Sequence, residues 1–200
     1  MDSKSSAGYV RAYFDKMAAN WENNPQEYGV REHLVSLMEL PENGLILDIG
    51  CGRGVMTPHL LKAKPARLIG VDLSGEMIRL AREEFSGQPV EFVQGDILEM
   101  DFPPADAAVI YNAYPHFMDK GALKRAMARL VKPGGSLIVA HGAGKMVING
   151  RHHGPQVTPI SIPLRRAIEE AAVFLPEFEP IVTIDRSEYY FIRMRRVQRV

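Results

Sequence analysis

A single cysteine in 200 residues, Cys51, rules out an intrachain disulfide and gives an oxidising compartment no support. Charge of either sign is not in excess, because 24 Lys and Arg balance 24 Asp and Glu. The chain as a whole has no field to hold a nucleic-acid backbone or an anionic membrane surface. No apolar run approaches the length of a membrane span, and residues 1–8 lack the apolar core of a secretory signal. These shortages lead to the expectation of a cytoplasmic protein without nucleic-acid or membrane partners. Repeats and low-complexity tracts are absent too. Apolar residues are plentiful at 46%, enough for one domain over residues 1–200 to close a core around an open sheet, and there is no room for a second full domain. Arg193, Arg195, Arg196 and Arg199 crowd one end and read as a solvated strand face.

Along the chain, Val10, Tyr13, Phe14, Met17, Ala18 and Trp21 recur at three- and four-residue steps, which predicts an amphipathic helix over residues 9–22. A second such helix is expected over 26–40. Leu45-Ile46-Leu47-Asp48-Ile49 then reads as a short buried strand running into glycines. From there strands and helices alternate: helix 55–64, strand 67–72, helix 75–85, strand 90–94, strand 107–111, helix 120–131 and strand 136–141. That alternation is the pattern of a parallel sheet with crossover helices. Residues 142–163, with four glycines, three prolines and two adjacent histidines, read as a long irregular segment of the kind that carries function. A helix over 164–175 precedes two runs, 181–185 and 189–195, placed to pair as an antiparallel hairpin.

The chemistry gathers at Asp48-Ile49-Gly50-Cys51-Gly52-Arg53-Gly54. Glycines between a strand and a helix let the backbone approach a ligand closely, since no Cβ intervenes. A dinucleotide fingerprint wants Gly-x-Gly-x-x-Gly, and its third glycine would fall at Val55, so the turn suits a ligand without a pyrophosphate. Asp72 closes the second strand twenty residues after Gly52, where a carboxylate can accept both ribose hydroxyls of an adenosine. Gly95-Asp96-Ile97 follows the third strand and offers a carboxylate to an adenine amino group. Three sites agree on one adenosine-sized ligand.

With these residues stand Tyr13-Phe14-Asp15 and Trp21, Val71-Asp72-Leu73-Ser74 with Met77, and Leu130-Val131-Lys132-Pro133-Gly134-Gly135. Together they resemble the class I S-adenosylmethionine-dependent methyltransferases, close to the small-molecule group called type 11, over nearly the whole chain. The resemblance implies an α/β fold: a doubly wound, mostly parallel seven-stranded Rossmann-like sheet with an antiparallel C-terminal hairpin. It also implies an N-terminal helical lid over residues 1–40, set on a cofactor-binding core over 41–200. The cofactor would be S-adenosyl-L-methionine, leaving S-adenosyl-L-homocysteine. Its methionine part would lie along Asp48 and the backbone of Gly50, Cys51, Gly52 and Gly54, with Tyr13 and Asn112 in contact. Asp72 would hold the ribose, and Leu73, Met77 and Ile97 would sandwich the adenine, with Gly95 and Asp96 at its amino edge.

Methyl transfer from a sulfonium needs an aligned nucleophile and exclusion of water, and needs a base only for a protonated acceptor. Tyr111-Asn112-Ala113-Tyr114-Pro115-His116-Phe117 should sit above the methyl group, but not in the Asn-Pro-Pro-Tyr order of enzymes that methylate adenine or glutamine. His116, His141 and His152 are the catalytic candidates, with His153 beside them. Tyr9, Tyr114 and Asn149 are expected to bind the acceptor. The histidines could make a polar pocket, a proton relay or a metal site; no carboxylate or thiolate joins at ligand spacing, so no metal is expected. A small-molecule acceptor is expected, to a monomer or a homodimer. Two rivals stay open, a nicotinamide-dependent oxidoreductase and a non-catalytic sensor or scaffold for an adenosyl ligand.

Overall fold

The structure, a computed structural model, describes residues 3–21, 27–152, 154–155 and 157–198. His153, Arg199 and the helix-end positions 22 and 26 lie outside these. A seven-stranded sheet has the order β3-β2-β1-β4-β5-β7-β6. Its strands are β1 (Leu45–Ile49), β2 (Arg67–Asp72), β3 (Glu91–Gln94), β4 (Ala105–Tyr111), β5 (Val131–His141), β6 (Phe178–Asp185) and β7 (Tyr190–Arg196). The first five pair in parallel; β7 runs antiparallel between β5 and β6, so the expected hairpin is there.

Alternation along the strands sends successive side chains to opposite faces. Leu47, Ile69, Ala108, Leu137 and Ile192 pack on one face, and Ile46, Leu68, Ala107, Ile138 and Phe191 on the other. Helices cover both, as parallel strands require. The first face takes α5 (Lys120–Leu130), whose Leu123, Ala126, Met127 and Leu130 form an i, i+3, i+4, i+7 stripe, and Ala167 and Ala171 of α7 (Ala167–Ala172). Leu34 and Met38 of α2 (Tyr28–Met38) and Leu60 of α3 (Thr57–Leu60) cover the second. Helix α4 (Gly75–Glu84) starts at Ser74, whose hydroxyl accepts from the amide of Met77 at 3.1 Å.

Several sequence expectations change: helix 55–64 shortens to α3 and a 3-10 turn at Leu61–Ala63, helix 164–175 shortens to α7, and β5 begins at Val131 rather than at 136. The first helix, α1, spans Ser3–Met17 and tightens into a 3-10 turn at Ala18–Asn20. The segment 142–163 is not irregular throughout: α6 (Lys145–Arg151) and a 3-10 turn at Thr158–Ile160 lie in it. The arginine cluster is not one solvated face. Arg193 is buried and ion-paired with Glu39, and Arg196 donates to the carbonyl of Val131 at 2.6 Å.

Strand order reverses about β1, with β2 on one side and β4 on the other. In open α/β sheets such a switch point, at the carboxyl ends of the strands, is where ligands bind.

Candidate cofactor and acceptor site

Directly after β1 the chain turns through Gly50, Gly52 and Gly54 at φ of 69°, 54° and 83°, the left-handed region that glycine enters without strain. The turn is welded to the end of β2. Asp72 accepts from the amide of Gly52 at 2.8 Å on one carboxylate oxygen and from the amide of Ser74 at 2.8 Å on the other. Each oxygen keeps a lone pair for a ligand hydroxyl, and burial raises the Asp72 carboxyl above its ordinary range. Asp96 closes a similar turn, accepting from the amide of Leu98 at 2.9 Å. A cavity of about 620 Å³ opens above these strand ends.

Of the residues expected to hold a cofactor, Gly50, Cys51, Gly52, Asp72 and Leu73 line that cavity, together with Met77, Gly95, Asp96, Ile97 and Asn112. Asn112 itself sits at φ 53°, held by its side-chain oxygen accepting from the amide of Gly142 at 3.1 Å. A Cβ on Gly52 would meet only the Met77 sulfur, at 4.0 Å, so the space beside this backbone is open to a ligand. Val55, at the place of the missing third glycine, also lines the cavity.

Three of the expected cofactor residues stand elsewhere. Gly54 does not line the cavity; a Cβ there would come within 2.7 Å of the Phe85 ring, so this glycine serves packing. Asp48 lies beneath the turn, 2% exposed, with one carboxylate oxygen lacking any hydrogen-bond partner. Burial, and then the neighbouring Asp72 charge, push its carboxyl up to about 7. Tyr13 is a correction of register. Ala7, Val10, Arg11 and Phe14 are the α1 residues that face the cavity, an i, i+3, i+4, i+7 face, while Tyr13 packs edge-on against Phe14 with centroids 5.3 Å apart.

Asp15 fastens α1 over the site. Its carboxylate accepts from the Ser74 hydroxyl at 2.6 Å and from the amide of Glu76 at 3.2 Å, at the start of α4. Phe14 packs edge-on against Trp21 and against His116, with centroids 5.6 and 4.9 Å apart. Trp21, His116, Phe117 and Arg151 line the cavity as well.

The expected acceptor residues separate sharply. Tyr9 is 59% exposed and outside the cavity lining, and Tyr28, another ring of the expected lid, is also exposed. Tyr114 is fully buried and donates to Glu170 at 2.8 Å. Asn149 spends its whole amide on Leu164, donating to its carbonyl at 3.0 Å and accepting from its amide at 2.7 Å. Among the catalytic candidates only His116 lines the cavity. His152 stands behind it, ring nitrogen to ring nitrogen at 3.3 Å. His141, at the end of β5, is wholly buried against Tyr190, and burial together with His152, Lys120 and His116 pushes it down to about 3.

Sequence reasoning passed over Glu27, Arg151 and Asp119. Glu27 accepts from the Tyr111 hydroxyl at 3.3 Å; Asp119 caps α5 by accepting from the amide of Ala122 at 2.8 Å; all three line the cavity. No local pattern marked Glu27 or Arg151, and the capping position of Asp119 was its one visible signal.

Comparisons with known proteins agree with this geometry. Residues 46–135 match a family model described as a methyltransferase domain. An uncharacterized methyltransferase of Mycobacterium tuberculosis is 31% identical over 110 residues, covering 54% of this chain and 55% of the relative. The malonyl-[acyl-carrier protein] O-methyltransferase of Halalkalibacterium halodurans is 34% identical over 143 residues, covering 64% of this chain and 53% of that protein. The chain thus spans about half the length of these curated relatives. Among solved structures, a DhpI–SAH complex superposes with a TM-score of 0.75 at 17% identity, covering 96% of this chain and 98% of the other. A SAM-dependent methyltransferase from Aquifex aeolicus gives 0.72 at 18% identity, covering 94% and 98%. At those identities the likeness is one of fold.

Proposed function

The chain belongs to the class I S-adenosylmethionine-dependent methyltransferase family, and from that premise we propose that it transfers a methyl group from S-adenosylmethionine to a small-molecule acceptor by in-line displacement. The observation that carries this reading is Asp72, clamped between the amides of Gly52 and Ser74 at 2.8 Å each, on the rim of a cavity of about 620 Å³. That clamp joins the glycine turn to the ribose-binding position in one rigid unit.

The residues present fit the cofactor. Open space beside Gly52 and the free lone pairs of Asp72 are what the ribose of an adenosyl group requires. Asp72 would hold the ribose hydroxyls, Asp96 the adenine amino group, and Leu73, Met77 and Ile97 the faces of the ring. When bound, S-adenosylmethionine supplies an electrophilic methyl on a sulfonium. The chain's own work is alignment and exclusion of water. Phe14 and Trp21 would cover the acceptor end, and Asn112 and His116 line the same cavity. Helix α1, fastened by Asp15, acts as the lid. The segment 1–40 as lid and 41–200 as cofactor core remains our division of the chain. A neutral chain with a small cavity favours a metabolite acceptor over a macromolecule.

Calorimetry with S-adenosylmethionine, S-adenosylhomocysteine and NAD is the direct test, with binding of the first two expected and abolished by Asp72→Ala. Preference for NAD would replace the reading with the oxidoreductase. Binding without methyl transfer to any member of a metabolite panel would replace it with the sensor.

A further inference from the structure

The carboxylates that line the cavity are those of Glu27, Asp72, Asp96, Glu99 and Asp119. All but one have work in the fold or at the adenosyl end. Asp72 is clamped by the amides of Gly52 and Ser74, and Asp96 by the amide of Leu98. Glu99 belongs to the same turn as Asp96, its amide donating to that residue's carbonyl at 2.9 Å, and Asp119 caps α5. Glu27 has no such duty.

Its carboxylate stands at the ends of β4 and β5. Tyr111, the last residue of β4, donates its hydroxyl to it at 3.3 Å, and a Cβ on Gly142, just past β5, would come within 3.0 Å of it. The Gly142 amide in turn donates to the Asn112 side chain at 3.1 Å. Burial, and then the Glu27 charge, raise the Tyr111 phenol above its ordinary range, so this hydroxyl stays a donor. Buried Arg31, one turn along α2, donates to the backbone carbonyl of Glu27 at 3.3 Å and fixes the residue at the start of the helix. One long hydrogen bond from a phenol leaves room on a carboxylate, which has about four acceptor positions.

We propose that Glu27 is the counter-charge for the α-ammonium group at the amino-acid end of the cofactor. The proposal rests on the methyltransferase reading and adds to it the residue that tells an amino-acid-bearing nucleoside from a bare one. Asp72 closes β2 and Tyr111 closes β4, with β1 between them. Two strand spacings, about 10 Å, therefore separate the ribose clamp from the strand end that Glu27 contacts. A thioether chain leaving a ribose held by Asp72 can span that length, passing Gly50 at the end of β1 and Asn112 after β4, both of which line the cavity. An ammonium brings three donors and a full charge, for which a carboxylate is the matching partner. Asp48 is no rival for this role, being sealed beneath the glycine turn and outside the cavity lining.

Calorimetry on the full chain tests the pairing without any acceptor present. Three ligands are compared in the parent and in Glu27→Gln: S-adenosylhomocysteine, its analogue with hydrogen in place of the amino group, and 5′-methylthioadenosine, which lacks the amino-acid end. The parent should bind S-adenosylhomocysteine at least about tenfold tighter than the deaminated analogue. Glu27→Gln should lose about tenfold for S-adenosylhomocysteine and nothing for the other two, whose retained binding also shows that the variant is folded. The cycle then gives a coupling of about tenfold between one carboxylate and one amino group. Equal loss for all three ligands would overturn the proposal, because Glu27 would then act only through the docking of α2. Unchanged affinity for S-adenosylhomocysteine in the variant would also overturn it and leave the carboxylate to an amine acceptor. A parent that binds S-adenosylhomocysteine and the deaminated analogue alike refutes the pairing while the methyltransferase reading stands. A parent that binds none of the three ligands refutes both.

Discussion

Asp48→Asn isolates the cost of keeping a carboxylate beneath the glycine turn. In the fold this carboxyl is pushed from 3.8 up to about 7, chiefly by burial. The folded chain therefore holds a proton there that the unfolded chain releases, and stability falls as pH rises from about 4 to about 7. At about 1.36 kcal/mol per unit, the full difference comes to about 4 kcal/mol. Between pH 5 and pH 8 the same linkage amounts to roughly 2–3 kcal/mol. Asparagine has no such titration, and because the Asp72 charge contributes to the shift, part of the difference comes from losing that repulsion. Thermal unfolding at the two pH values should show Asp48→Asn gaining on the parent by about 5–10 °C at pH 8 relative to pH 5, taking about 2–4 °C per kcal/mol for a chain of this size. A difference in melting temperature that stays constant between pH 5 and pH 8 would refute the argument, because it would mean that Asp48 is ionised in the fold at both.

Glycine substitutions should divide by what each position faces. Gly50→Ala places a Cβ 2.5 Å from that of Ala113 at a φ of 69°, so thermal denaturation should show a loss above the ~1–2 kcal/mol of left-handed strain alone. Gly52→Ala meets no close atom and should stay within about 1–2 kcal/mol of the parent, yet calorimetry should register loss of the adenosyl ligand. Asp15→Ala deletes two hydrogen bonds to the start of α4. It should raise the KM for S-adenosylmethionine more than it lowers kcat, with a stability change of about 1–3 kcal/mol. Asn149→Ala should cost about 1–3 kcal/mol in chemical denaturation, because both Leu164 backbone partners are left bare, while affinity for the adenosyl ligand stays unchanged.

The parts of the fold that local pattern controls were legible. Strands β1 and β2 fall on the expected residues because a buried apolar run closed by glycine or aspartate has few other readings. Helix α6 was not legible: Ile148 is its one buried residue, and Met146 and Val147 face solvent, so no apolar stripe existed to be read. For α1 the stripe was visible but its docked edge was not. Tyr13 and Phe14 both belong to the apolar side, and only the approach of α4 through Asp15 decides which ring enters the cavity. Tyr114 and Asn149 carry the groups an acceptor pocket needs, yet their partners are Glu170, 56 positions away, and Leu164, 15 positions away. Sequence spacing holds no information about such long-range pairing. The same holds for His152, whose place behind His116 follows from the docking of α6 against the turn after β4.

Two consecutive residues of α1 make separate contacts beside the cavity, Asp15 with Ser74 and Glu76 at the start of α4 and Phe14 against His116. If α1 is the lid we propose, it would act as a single gate held at two contacts. In an enzyme of the proposed kind, a displacement large enough to free the spent nucleoside would also strip the aromatic cover from the acceptor. The two products would then leave within one opening event.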